Sequence, residues 1–117
     1  MTFTPHEVYI LQAVHDLSHS DCKNIIPIAD LAIKFKISER VLCSAFKQMY
    51  NKTIHQHRLW ICMANAKVML EQGIAIKVVT LAMGYKSNGS FSRAYKKIYL
   101  VLPSTHYQAV ILKDRQQ

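Results

Sequence analysis

Apolar residues recur along this chain at helical spacing, and one such pattern occurs twice. Ile28, Leu31, Ala32 and Phe35 mark one face of a short helix that breaks at Lys36-Ile37-Ser38, after which Leu42, Ala45, Phe46 and Tyr50 resume the period. Further on, Ile76, Val79, Thr80 and Met83 run into Gly84-Tyr85-Lys86-Ser87, and Phe91, Ala94, Tyr95 and Tyr99 follow. The two copies are offset by 48 residues before the break and 49 after it, so the second turn holds one extra residue. Nowhere do apolar and polar residues alternate as in a strand, and the chain is expected to be all-α.

Other elements follow from their caps. Thr4-Pro5 is an N-cap followed by proline at the first helical position, with Val8, Leu11, Val14 or His15, Leu17 and Ser18 on the buried side of the helix it opens. Ser20-Asp21 begins a loop that leads through Ile25-Ile26-Pro27 into a helix from Ile28 to Phe35. Ser38 caps the next helix, with Glu39 at the positive end of its dipole, and Asn51 stops it after Tyr50. Thr53 caps a long helix from Ile54 to Gln72 closed by Gly73; the second copy fills Ala75 to Leu100; Pro103-Ser104 opens a last helix ending in the polar tail Lys113 to Gln117.

Each copy is a short helix, a tight turn and an amphipathic second helix, the layout of a helix-turn-helix. The expectation is a seven-helix fold with one helix-turn-helix subdomain over 1–52, a linker helix over 53–73 and a second subdomain over 74–117. The linker, about 28 Å long at 1.5 Å per residue, carries an apolar stripe of Leu59, Met63, Ala66 and Leu70 beside Trp60. Buried, that stripe is expected to make the helix a ruler between two reading heads, since a duplex turns its major groove to one face every ~34 Å.

Charge supports a polyanionic partner. Fifteen Lys and Arg against seven Asp and Glu give a net charge of +8, which suits nucleic acid or an anionic membrane surface, or serves solubility alone. No apolar run approaches the roughly 18 residues that cross a bilayer, and the N-terminus lacks a basic flank before an apolar core. A soluble protein of the cytoplasm is expected, at the bacterial nucleoid if it binds DNA.

Cys22, Cys43 and Cys62 are odd in number and show no CxxC spacing, which argues against a disulfide framework. Cys43 and Cys62 fit small positions in helical apolar patterns. His15, His19 and Cys22 are spaced to share a helix face, and His55 and His57 form a local HxH, but no fourth ligand converges with them. Surface histidines are the expectation, with no metal and no cofactor.

The residues of the second copy are specific. Ile76-x-x-Val79-x-x-x-Met83-Gly84-Tyr85, then Phe91-Ser92-Arg93-Ala94-Tyr95-Lys96, with Pro103 beyond, resembles the signature of the AraC/XylS family of transcription regulators. The first copy, with Leu31-Ala32, Ser38, Leu42, Phe46 and Lys47, resembles that family's other unit. The resemblance covers about residues 6 to 108. It implies a two-lobed helical domain whose two recognition helices enter successive major-groove segments of double-stranded DNA, and a sequence-specific regulator rather than an enzyme. RNA polymerase is a second candidate partner, no membrane is involved, and an effector or dimerisation domain belongs to the picture if the chain is a fragment of a longer regulator.

Carried over by position, the resemblance places Ser38, Glu39, Arg40, Cys43, Ser44 and Lys47 of the first recognition helix at DNA, and Ser87, Asn88, Gly89, Ser90, Ser92, Arg93, Lys96 and Lys97 of the second. Side-chain chemistry agrees. Arg40 and Arg93 can pair with guanine O6 and N7, Asn88 with adenine, and short hydroxyls can reach phosphates, while Lys47, Lys96 and Lys97 suit the backbone. For each of these residues the plain alternative is a solvated helix face.

The chain departs from the family pattern in several places. Lys36 stands where many members have glycine, a cost of roughly 1 kcal/mol if the turn needs positive φ. Thr80 replaces a small alanine, Leu100 replaces the glycine ahead of Pro103, and Cys62 replaces a basic residue of the linker. Cys43 and Ser44 are weak base readers, so the first unit is expected to depend on Arg40.

Two other classes of function fit the sequence less well. A basic helical module that binds an acidic protein needs no matched pair of exposed second helices. An enzyme finds no support, since paired carboxylates, a nucleophile with its base and a glycine-rich phosphate loop are all missing from the sequence.

Overall fold

Four of the helices begin on a side-chain cap that the sequence spells out. In a computed structural model, which describes residues 3–17 and 22–115 with side chains to 112, Thr4 and Glu7 bond reciprocally at the start of α1 (Pro5–Leu17). Thr53 and Gln56 do the same for α4 (Ile54–Glu71). Such reciprocal boxes satisfy two orphan N–H groups each. Ser38 accepts from the Val41 N–H to open α3 (Glu39–Tyr50), and Ser87 from the Ser90 N–H to open α6 (Asn88–Tyr99). The short helices α2 (Ile28–Lys34) and α5 (Ile76–Ala82) start without a side-chain cap, and α7 (Pro103–Arg115) starts on its proline. Among the described residues there are seven helices and no strand.

Ends are as informative as starts. After α2 the Ile37 N–H reaches Ala32 O and the Lys36 N–H reaches Ile33 O; after α5 the Tyr85 N–H reaches Thr80 O and the Gly84 N–H reaches Leu81 O. Both are Schellman motifs, with the left-handed position filled by Lys36 (φ 56°) in one and Gly84 (φ 84°) in the other. The extra residue of the second turn is therefore Lys86, an exposed lysine between that motif and the Ser87 cap. Helices α3 and α6 end on left-handed Asn51 (φ 59°) and Leu100 (φ 63°).

The chain forms two compact units, Met1–Arg58 and Leu59–Gln117. In the first, α1 and α2 both pack on α3 around Ile10, Leu11, Val14, Leu31, Ala32, Leu42, Ala45, Phe46 and Ile54. The buried stripe of α1 runs through Ile10 as well as Leu11 and Val14, while Val8, His15 and Leu17 are only partly covered. Ser18, His19, Ser20 and Asp21 lie outside the described residues. In the second unit α5, α6 and α7 pack on one another, and Met63, Ala66, Leu70, Val79, Thr80, Met83, Phe91 and Tyr95 are buried. No helix among the described residues is long and apolar enough to cross a membrane.

One expectation about a single residue needs correction. His57 is buried rather than on the surface: His15 stacks on it at 4.3 Å and on Tyr50 at 4.6 Å, and Phe46 lies beside both. A flat ring with apolar faces packs as an aromatic once tertiary neighbours supply the slot. Cys43 is a free thiol.

Candidate nucleic-acid interface

The outward faces of α3 and α6 follow from what their inward faces bury. With Leu42, Ala45 and Phe46 in the core, the helical period of 3.6 residues turns Arg40, Ser44 and Lys47 to solvent together. All three are exposed, as are Ser38, Glu39, Val41 and Gln48, whereas Cys43 is half-buried. In α6, Phe91 and Tyr95 face inward. Asn88, Gly89, Arg93, Lys96 and Lys97 are exposed, Ser87 with them, and Ser90 and Ser92 are half-buried.

The 49-residue offset sets the two faces in register. Arg40 corresponds to Gly89, Val41 to Ser90, Ser44 to Arg93, Lys47 to Lys96 and Gln48 to Lys97. Each helix thus has one arginine on its outward stripe, a turn apart in the two copies. Helix α3 also carries Glu39 in its first turn, whereas α6 has no acid there and gains Lys97.

Sequence reasoning missed Val41 and Gln48. Both follow from the stripe that Arg40 and Ser44 begin, and with those two residues, Phe3 and Glu7 they line a groove of about 400 Å³ beside the start of α1. Lys86, exposed in the second turn, adds a cation ahead of α6 that was not singled out. Its signal was the one-residue difference between the copies.

Electrostatics on these faces is simple. Burial, helped by the charge of Glu39, pushes the Cys43 thiol up, which keeps it neutral at the edge of α3. Behind α6, burial also raises Tyr95, whose hydroxyl hydrogen-bonds His106 Nδ1 on α7. Tyr99 packs beside it with its ring tilted, and the Lys67 ammonium lies 5.2 Å from the centre of that ring and 3.8 Å from the Glu71 carboxylate. This polar cluster joins α6 to α7 and α4 within its unit and leaves the outward stripe to the cations.

Arg93 is the one stripe residue with a set geometry. Its Nη2 donates to Ser90 Oγ at 3.3 Å, and Ser87 Oγ donates to the same oxygen at 3.1 Å. Ser38 and Ser87 use their oxygens to cap, so neither is only a phosphate contact.

Two capped turns, each presenting a second helix with a cationic outer stripe, define a double helix-turn-helix domain of the DNA-binding kind. A family model described as a helix-turn-helix domain matches residues 31–109, well over half of the chain. The chain belongs to this family, the helix-turn-helix domains of AraC type, and is a DNA-binding transcription regulator rather than an enzyme.

Solved structures share the fold. A probable AraC family transcriptional regulator from Rhodopseudomonas palustris aligns with TM-score 0.76 and 20% identity over 87% of this chain and 97% of that one. A transcriptional regulator with an AraC-type DNA-binding domain from Chromobacterium violaceum gives 0.78 and 22% over 86% and 91%. The C-terminal domain of AraT, a response regulator from Geobacillus stearothermophilus, gives 0.74 and 19% over 93% and 88%. No curated protein sequence matches the chain.

Proposed function

We propose that this regulator binds double-stranded DNA sequence-specifically, with α3 and α6 each entering the major groove in successive segments of one site. The observation that carries this reading is the matched pair of outward stripes, both cationic and both held by capped turns. Arg40 and Arg93 are assigned to guanine and Asn88 to adenine; Lys47, Lys96 and Lys97 are assigned to the phosphate backbone. The exposed short polar residues Ser38, Ser44 and Ser87 lie at the margins of these contacts, with Ser92 half-buried beside them. Glu39 and Cys43 contribute least, one through its charge and the other through its partial burial.

Selection of bound duplexes from a random library tests the reading directly. The expected product is one bipartite site about two helical turns long, each half read by one helix. Binding to that site should weaken with salt at a log–log slope near −5 if about six phosphates are neutralised. Enrichment of no sequence, with the same salt dependence for every duplex, would reduce the protein to a non-specific binder.

A further inference from the structure

An arginine on an exposed helix face is a flexible side chain, and ordering it on binding costs part of the contact it makes. On α6 that ordering is already in place. Arg93 Nη2 donates to Ser90 Oγ at 3.3 Å, and the second lone pair of that oxygen accepts from Ser87 Oγ at 3.1 Å. Ser87 is itself fixed by capping the Ser90 N–H at 3.2 Å.

Gly89 completes the seat. A Cβ at that position would lie 3.6 Å from Arg93 Nη1, so the guanidinium rests beside a bare Cα, and any longer side chain would compete for the space. Helix electrostatics do not bring the cation there, because the first turn is the positive end of the helix dipole. The hydroxyl and the open glycine surface do. In α3 the position of Gly89 holds Arg40 and the position of Ser90 holds Val41, so this seat is not repeated there.

We propose that Ser90 is a positioning residue: with Gly89 as the floor, its hydroxyl presets the Arg93 fork in the duplex-free protein for bidentate pairing with a single guanine. This rests on the reading of Arg93 as a base contact. It assigns to Ser90 an effect on base choice that is exerted through Arg93 and not by touching DNA.

The test is a double-mutant cycle of Ser90→Ala and Arg93→Ala, read as affinities of the full chain for the selected site and for its single-base variants. Ser90→Ala is expected to lower discrimination roughly 3- to 10-fold, the value of one pre-ordered side chain, at the same base pair that Arg93→Ala relaxes. It should have no further effect once Arg93 is gone and should leave the salt slope unchanged. Ser90→Thr, which keeps the hydroxyl, should restore discrimination. Additive effects of the two substitutions, or unchanged discrimination in Ser90→Ala, would overturn the positioning role while Arg93 stays a base contact. If Arg93→Ala itself relaxes no base pair, the failure lies in the underlying assignment of Arg93, and the proposal falls with it.

Discussion

The two units solve the same structural problem with their compromises in opposite places. Each helix-turn-helix uses two left-handed residues, one in the turn before its second helix and one at that helix's exit. The first unit fills its turn with Lys36 and its exit with Asn51; the second fills its turn with Gly84 and its exit with Leu100. Glycine and asparagine accept that conformation, whereas lysine and leucine are strained by their Cβ. The recognition faces differ in the same complementary way, with an arginine in the first turn of α3 and in the second turn of α6. The backbone frame is thus held constant by hydrogen bonds, and the side chains on it are free to differ.

The sharpest way to break this comparison is at the two arginines. Arg93→Ala is expected to weaken binding to the selected site by about 1–3 kcal/mol and to relax one base position; Arg40→Ala should do the same at a position in the other half-site. Affinities for all single-base variants of the site measure this. Should either substitution weaken every duplex equally, that arginine contacts phosphate and the symmetry of the two heads is lost. Lys97→Ala provides the control: a uniform loss across sequences and a salt slope shallower by about 1.

Next in size are the strained turns. Lys36→Gly and Leu100→Gly should each raise the unfolding free energy by about 1 kcal/mol, since both side chains are exposed and little packing is lost. Asn51→Gly should change it far less. Urea unfolding of the three variants distinguishes them, and equal changes at all three positions would show that the left-handed conformation is not what limits either unit.

Much of this fold is legible in the sequence because helix ends are marked chemically. Thr4, Ser38, Thr53 and Pro103 announce starts, and Gly73 and Gly84 announce ends, so the seven elements emerge with boundaries close to those observed. Leu100 is legible only by comparison with a family pattern, because nothing about leucine signals positive φ. The burial of His57 was not legible, since whether an imidazole is solvated or stacked depends on a slot built by Tyr50 and Phe46 from another helix. At the site, the outward stripes follow from periodicity. The seat of Arg93 does not, because a Ser–x–x–Arg spacing permits the hydrogen bond without selecting the rotamer that makes it.

The smallest effect concerns a buried difference between the copies. The carbonyls of Ala32 and Thr80 play the same part, accepting the N–H of Ile37 at 3.0 Å and of Tyr85 at 3.1 Å. Ala32 brings no polar side chain, whereas the Thr80 hydroxyl is buried and finds no hydrogen-bond partner among the described residues. An unpaired hydroxyl of this kind costs about 1–3 kcal/mol, part of which the threonine recovers through the packing of its methyl group. Thr80→Val removes the hydroxyl at nearly the same volume and should stabilise the protein by up to about 1 kcal/mol. Thr80→Ala, which reproduces the first copy but leaves a methyl-sized void, should gain less or nothing. Thermal unfolding of the pair sets the order, and a valine variant less stable than the wild type would mean that the hydroxyl is hydrogen-bonded in solution, making Thr80 part of the design of the second turn.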